Sequence, residues 1–583
     1  MFLTLPGVVS SDEVMLNMIV STIVVLLGLH TTHAYLNHVG IISNKHKLSD
    51  YHSVFKPLIS TKALVTLPSF RLSIQSTDKY EVDSSDGSDS KSILPGWLGA
   101  FTTACLGGAL FGLDIGSSSS VLRILGSTGF DAAQTAGDAA QALDPIQLGQ
   151  IAGGSLLGAI ISSTLIILIG DKDIGRKVEL QISSLLFLLG TVVQSVLSSS
   201  IPVLLGGRIL YGLGIGVAMH AAPLFIAETA PNKLRGRLVS FKEAAIVIGI
   251  VAGYAAGAYF GGSSDWRAVW LDSAIPLEVL MIIGSFFLIP ESPRWLALRN
   301  RKEEAVESLK VLQPELSVDE ASSQVQEMIT LSSSSVAVDQ STVEGDTNTN
   351  DALESLKEIF GSPYNRRALV IGIGLVAFQQ FSGQPSVLYF ANRLFEQAGL
   401  GYEAALFIGV FKLIMTFVSA YLVENPQFGR RTLLLIGNSG VTLSLLSLAY
   451  FYLGGNAVTD GVGSVGPSVQ QYSIIASMLI FVGSYQIGFG PISWLILSEI
   501  FPLRIRSTAL SLGTLVNFSS NLLVTLIFEA ERVLVGESLL FLQFGLIGLA
   551  ATVFTYFLVF ETRGLSLEEI EVKLKKEVDG SSA

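Results

Sequence analysis

Asp114 is a carboxylate inside an apolar stretch, in the run Gly112-Leu113-Asp114-Ile115-Gly116. An unpaired carboxylate at the centre of a bilayer costs about 2.5–3.5 kcal/mol on insertion scales, so it must face a cavity or a partner. Arg208, in a different apolar stretch, is the natural partner. Burial favours the neutral form of a carboxylic acid, whereas a neighbouring guanidinium favours the ionised form. A pair whose spacing changes between two conformations can therefore take up and release a proton. The bland alternative for the same two residues is a fixed structural ion pair. Proton coupling of this kind is reciprocal: if protonation favours a ligand, the ligand favours protonation.

A second set of charges recurs along the chain. Glu228, Pro231, Lys233 and Arg235 match Glu499, Pro502, Arg504 and Arg506 at identical spacing. Gly175-Arg176-Lys177 is echoed by Gly429-Arg430-Arg431, and Glu291 by Glu561. These sets fall at the ends of apolar segments. The chain is therefore an internally duplicated molecule. Two related halves with a ligand held between them are what alternating-access carriers use.

The elements that must position these residues are membrane helices. Of the 583 residues, 50% are hydrophobic and only 14% charged, against roughly a quarter charged in a soluble protein. An α-helix needs about 20 apolar residues to cross the hydrocarbon layer. Runs of that kind predict spans at 94–122, 144–170, 178–199, 200–222, 237–262 and 266–289. A second set is predicted at 367–391, 403–424, 432–454, 471–498, 507–528 and 538–560. The expected fold is all-α and integral to the membrane, with twelve helices in two pseudo-symmetric halves, 94–298 and 367–562. The 57 glycines suit close helix packing in lipid. Residues 299–366 form a central loop that begins as a charged helical pattern, Arg299–Leu312, and becomes Ser/Thr/Asp-rich and flexible from Ser332 to Asn350. Residues 563–583 form a tail.

Basic residues mark one face. Lys172, Arg176 and Lys177 follow span 2; Lys233, Arg235 and Arg237 follow span 4. Arg430 and Arg431 follow span 8, and Arg504 and Arg506 follow span 10. By the positive-inside rule these ends, the central loop and both ends of the twelve-span core share one side. Residues 1–93 read differently. Met15–Leu29 is a short apolar run, Thr32-His33-Ala34 offers a cleavage site, and Tyr35–Gln75 holds five Lys/Arg with Asp50 as its single acid. That composition suits a signal peptide followed by a transit peptide, an address to a complex plastid. A poorly ordered extension with a signal anchor is the other reading; it leaves vacuolar, other endomembrane or plasma-membrane destinations open.

Six stretches, in order, resemble the sugar-porter branch of the major facilitator superfamily. They are Gly207-Arg208-Ile209-Leu210-Tyr211-Gly212; Glu228-Thr229-Ala230-Pro231 leading to Arg235-Gly236; Pro290-Glu291-Ser292-Pro293-Arg294-Trp295-Leu296; Gln379-Gln380-Phe381-Ser382-Gly383; Gly490-Pro491-Ile492-Ser493-Trp494 running to Glu499-Ile500-Phe501-Pro502; and Glu561-Thr562-Arg563-Gly564. The resemblance covers about residues 94–572. Within the branch, Phe241-Lys242-Glu243 and Gly383-Gln384-Pro385-Ser386-Val387-Leu388-Tyr389 look closest to plant and algal glucose or xylose–proton symporter-like carriers.

The resemblance implies a carrier that moves a monosaccharide with a proton, with Asp114 and Arg208 as the proton-coupling pair. It also implies an inner charge network of Arg176, Glu228, Arg235, Arg430, Glu499 and Arg506 that holds the halves together in the outward-open state. Gln379 and Gln380 match the binding glutamines of the family. Amides suit a sugar because each offers donors and an acceptor. Gln384, Asn517 and Asn521 join them, the last two at i, i+4 spacing on one helix face, and Trp494 offers an indole N–H and a flat apolar surface. Glu243 and Ile250 stand where relatives carry glutamines, and Pro385 replaces an asparagine, so the sugar itself stays open. Lys412 and Glu278 are two further intramembrane charges; a local partner is expected for Lys412.

Other classes are set aside. A net charge of −12 argues against nucleic acid, and Cys105 is the only cysteine, so neither an intramolecular disulfide nor a thiolate metal cluster can form. Gly212, Gly214 and Gly216 lie in an apolar helix, where close packing explains them better than nucleotide binding. The six histidines show no metal-ligand spacing, and no nucleophile–base set appears, so neither cofactor nor enzymatic activity is expected. The expected partners are a sugar, a proton and the bilayer, with the monomer as the working unit. A facilitative uniporter with Asp114 locked in its ion pair, and a transport-inactive sensor, are the alternative functions.

Overall fold

A computed structural model describes residues 96–130, 142–169, 174–230, 235–260, 265–337, 350–397, 401–425, 427–453, 469–565, 569–570 and 572–574. Residues 1–93, with the expected targeting region, lie outside the described residues. Every regular element among the described residues is helical.

The first six spans are Gly96–Thr128, Pro145–Ile169, Arg176–Thr191, Ile201–Thr229, Arg235–Phe260 and Trp266–Ile283. Spans 3 and 6 each end in a π-helical turn, Val192–Val196 and Gly284–Leu288. Span 4 runs about two turns further than its apolar pattern predicts, because Pro223 is absorbed within the helix. Glu228 therefore sits on its last turn rather than in a loop. Span 6 opens on Asp265, whose carboxylate accepts the Arg267 N–H and caps the helix.

In the second half, span 7 is broken. Pro363–Phe381 ends at the glutamine pair, Gly383 adopts φ 81°, and a short helix Gln384–Tyr389 resumes, followed by Ala391–Gln397. Only glycine takes that backbone conformation without strain, and a Cβ there would also press into the Phe544 ring. Spans 8 and 9 are Tyr402–Glu424 and Arg430–Leu453. Span 10 is Val469–Ile487 continued by Phe489–Glu499 after a break at Gly488. Spans 11 and 12 are joined in one element, Leu503–Leu558, whose helical backbone is interrupted at Gly536. Ten described helices are long and apolar enough to cross a membrane. The twelve-span fold accounts for that number: spans 11 and 12 count as one, and the main helix of span 7, Pro363–Phe381, carries Asn365, Arg366, Arg367, Gln379 and Gln380 and is too polar to qualify.

Small residues bring the helices together. Gly112 and Gly116 of span 1 meet Gly249 and Gly253 of span 5 so closely that a Cβ at Gly112 would strike the Ile246 carbonyl. Between the halves, Gly149 and Gly153 of span 2 pack on Leu522 and Leu526 of span 11. Gly409 of span 8 packs on Val251 and Tyr254 of span 5. Large apolar side chains such as Leu168, Phe287, Tyr450, Leu453 and Phe557 are left on the outside, as lipid requires.

The central segment is more ordered than its composition predicts. Helices Pro293–Leu298, Lys302–Leu312 and Val318–Ala337 share a small core of Leu296, Ala297, Ala305, Leu309, Ala321 and Val325. The helix Val318–Ala337 extends past Ser332, while the side chains that pack it on its neighbours end at Ile329. Residues 338–349 lie outside the described residues.

Candidate functional site

Asp114 and Arg208 meet in the interior of the first half. Arg208 is fully buried and Asp114 is 2% exposed. The guanidinium Nη1 bonds Asp114 Oδ1, and Nη2 donates to Oδ2 at 3.2 Å. Ser155 of span 2 ties the pair together: its hydroxyl donates to Asp114 Oδ2 at 2.8 Å and accepts from Arg208 Nη2 at 3.0 Å. Ser118 approaches Oδ1 at 3.4 Å. Arg208 Nε donates to the Ile151 carbonyl at 3.0 Å, and the guanidinium lies 5.0 Å from the centre of the Trp270 ring. Tyr389, from span 7 of the other half, is fully buried, and its hydroxyl neighbours Asp114 and Ser155. Sequence reasoning finds the charged pair but misses Ser118, Ser155, Trp270 and Tyr389, which carry no periodic signal of their own.

The amide residues gather in the second half. Gln379 Nε2 donates to the Phe489 carbonyl at 2.8 Å and to the Gly490 carbonyl at 3.3 Å, across the break in span 10. Gln380 Nε2 donates to Asn517 Oδ1 at 2.5 Å, so spans 7 and 11 are joined through two predicted residues. Asn521 Oδ1 accepts from Thr525, whose hydroxyl contacts Ser386 at 3.1 Å. Gln380 Oε1 and Gln384 Nε2 are buried without a hydrogen-bond partner. Buried amide groups left unpaired are costly unless a ligand satisfies them. Trp494 lies half-buried on the Phe489–Glu499 helix. Glu243, from the first half, pairs with Lys242 at 3.3 Å.

Both remaining intramembrane charges have neighbours. Lys412 Nζ donates to Gln486 at 2.9 Å and lies 5.2 Å from the centre of the Tyr485 ring. Glu278 is fully buried and accepts the Thr191 hydroxyl at 2.5 Å.

The repeated charges on the basic face are bound within each half. Arg176 contacts Glu228 at 3.6 Å and Glu179 at 3.3 Å, and Glu179 also contacts His220 at 2.9 Å. Glu179 and His220 were not among the predicted members. Arg430 pairs with Glu499 at 3.0 Å, whose other oxygen accepts from Thr562 at 2.7 Å. Glu291 and Glu561 each cap the start of a neighbouring span, accepting from the Lys177 N–H at 3.0 Å and the Arg430 N–H at 2.8 Å. The Arg506 guanidinium donates to the Phe501 carbonyl at 3.1 Å and lies within electrostatic reach of Glu499. That bond closes the local turn while Glu499 is held by Arg430. The Arg235 side chain lies outside the described residues.

On the opposite face the halves are clasped to each other. The Asn392 N–H donates to Ser119 at 3.0 Å and its amide to Ser120 at 2.9 Å. Arg123 holds Glu396 through two bonds of 2.7 and 2.8 Å. The Tyr254 hydroxyl donates to the Leu388 carbonyl at 2.9 Å.

Two duplicated helical halves, a sealed charge pair, unsatisfied amides between them and a clasp on one face define a transporter rather than an enzyme. Comparison with known proteins agrees. A family model described as "Sugar (and other) transporter" matches residues 100–574. The chain belongs to that family. It is 40% identical to "D-xylose-proton symporter-like 2" of Arabidopsis thaliana over 81% of this chain and 90% of the relative. It is also 40% identical to "D-xylose-proton symporter-like 3, chloroplastic" of the same plant, over 82% of each chain. Among solved structures, the inward-open xylose transporter XylE from E. coli superposes with a TM-score of 0.63 at 27% identity, over 82% of this chain and 99% of that one. The protein is thus a multi-pass membrane transporter of the major facilitator type.

Proposed function

We propose that this protein moves a monosaccharide together with a proton by alternating access. Asp114 carries the proton, with Arg208 as its counter-charge. Gln379, Gln380, Gln384, Asn517 and Asn521 bind sugar hydroxyls, with Trp494 as an apolar face and Glu243 closing the site from the other half. The observation that carries this reading is the position of Tyr389. It stands beside Asp114 but belongs to span 7, the helix that also bears the glutamines, so a change in the charge pair is felt at the sugar site. Support comes from relatives named "D-xylose-proton symporter-like".

The basic face is the inner one in this reading. With the outer clasp closed through Asn392 and Arg123, the conformation is read as inward-facing. In the outward-open state, Arg176, Glu228, Arg235, Arg430, Glu499 and Arg506 hold the halves together at the inner face. Uptake into proteoliposomes under an imposed pH gradient tests the function, with glucose, galactose, xylose and inositol as substrates. Accumulation that survives collapse of the gradient excludes symport. A uniporter is the second reading, favoured by one observation: Ser118 and Ser155 also satisfy Asp114, as they would in a permanently locked pair.

The working unit is the monomer. The location is a plastid envelope, a reading supported by the chloroplastic relative and by the composition of residues 1–93. Fusing residues 1–93 to a fluorescent protein tests it; a plasma-membrane or diffuse signal rejects it.

A further inference from the structure

Lys412 is 5% exposed in the middle of span 8, flanked in sequence by apolar residues. An ammonium at that depth is expensive, and a charge kept there marks a functional position with a partner to be named. Its one hydrogen bond goes to Gln486 Oε1, on span 10, one residue from Tyr485, whose ring it overlies. Tyr485 in turn neighbours the side chain of Gln379, one of the two glutamines of span 7. Lys412 is therefore next to the amide site rather than packed against lipid.

Glu243, on span 5 of the first half, lies within electrostatic reach of both Lys412 and Tyr485. Its side chain is 41% exposed and touches Lys242 at 3.3 Å. Spans 5 and 8 pack on each other on either side of this level, through Tyr254 against Gly409 and through the Phe241 and Phe417 rings 6.3 Å apart. One charge of each sign is thus presented from opposite halves at a place where the halves meet.

We propose that Lys412 and Glu243 form a specificity-determining couple of the sugar site, selecting a neutral polyhydroxyl ligand over an acidic one. This rests on the sugar-carrier reading above. Lys412 offers ammonium protons beyond the one given to Gln486, and Glu243 offers only acceptors. A hydroxyl accepts from the first and donates to the second, so a neutral sugar satisfies both as the halves close on it. A sugar carboxylate or phosphate meets Lys412 favourably but is repelled by Glu243. The carboxylate of Glu243 is what keeps the lysine from recruiting anions.

The test uses the full-length protein in proteoliposomes, with sugar counterflow as the readout so that no gradient is required. In Lys412→Met, KM for the neutral sugar should rise about tenfold or more, the loss expected of one hydrogen bond to a charged group, with maximal exchange much less affected. Lys412→Gln should recover part of the loss. In Glu243→Gln, exchange of neutral sugar should become inhibitable by a hexuronate, whereas wild type is indifferent to it. The Glu243 variant, altered at a partly exposed position, keeps the proposal open to refutation if Lys412→Met fails to fold. An unchanged KM in Lys412→Met, or a Glu243→Gln protein still indifferent to hexuronate, overturns this inference while leaving the sugar-carrier reading standing. A wild type that exchanges none of the sugars removes that reading and this inference with it.

Discussion

Replacing Asp114 by asparagine separates the proton from the sugar. Asparagine keeps the size and one acceptor of the original side chain but cannot ionise. In the proposed mechanism Asp114 is the one carboxylate at the charge pair, and the expectation is one proton per sugar. A gradient of one pH unit then supplies about 1.4 kcal/mol, which is tenfold accumulation per unit. The variant should reach no accumulation at any gradient, while counterflow exchange continues. Stability also falls, because Arg208 is left fully buried without its counter-charge. Removing one member of a buried pair costs about 3–5 kcal/mol. The Ile151 carbonyl, the Ser155 hydroxyl and the Trp270 ring still hold the guanidinium, so the lower end of that range applies. The assay is uptake against gradients of zero, one and two units, paired with counterflow and a thermal unfolding scan in detergent. Gradient-driven accumulation by Asp114→Asn would refute the assignment of the proton to this residue. Loss of exchange in a folded variant would show that the carboxylate serves the sugar itself.

Three further perturbations are informative. Arg123→Ala removes the two-bond contact with Glu396 and should favour opening of the clasped face, read as faster labelling of a cysteine placed at the buried Leu122 after Cys105→Ser; unchanged labelling contradicts the clasp. Gly249→Val drives a side chain into the Ala109 carbonyl and should destabilise the protein by about 3 kcal/mol, the upper end of overpacking costs, seen as a lowered unfolding temperature; a wild-type value would mean spans 1 and 5 separate freely. Glu320 accepts from the Ser317 N–H and hydroxyl, which hold its carboxyl below its ordinary value. A group depressed in the folded state stabilises fully above its unfolded value of 4.5, and that stability is lost as pH falls through the lower folded value. Amide protection in the first turn of Val318–Ala337 should therefore exceed that of Glu320→Gln at pH 7 and fall to match it at pH 3; equal protection at pH 7 would refute the capping role.

The span count and the pairing of Asp114 with Arg208 were legible because lipid imposes them. Apolar length is a direct readout of bilayer thickness, and a buried carboxylate demands a partner. The break inside span 7 was not legible: Gly383 is one of 57 glycines, and no local pattern marks it as the one that leaves helical geometry. Gly536, by contrast, falls in the gap already left between the runs 507–528 and 538–560. The surroundings of the charge pair were hidden for another reason. Ser155 and Tyr389 lie 41 and 275 residues from Asp114 in the sequence, so only the fold brings them there.

Ser119 and Ser120, which close the outer clasp on Asn392, lie five and six residues beyond Asp114 on the same helix. At 3.6 residues per turn, that is about one and a half turns. The acid and the clasp thus share a single rigid rod with little helix between them to absorb a displacement. A carrier whose clasp could open without sensing its acid would let protons through unaccompanied and run down the gradient that feeds it. Keeping latch and acid on one short stretch of helix limits such slippage, and the four consecutive serines Ser117–Ser120 are then a safeguard against energetic leak as much as a set of contacts.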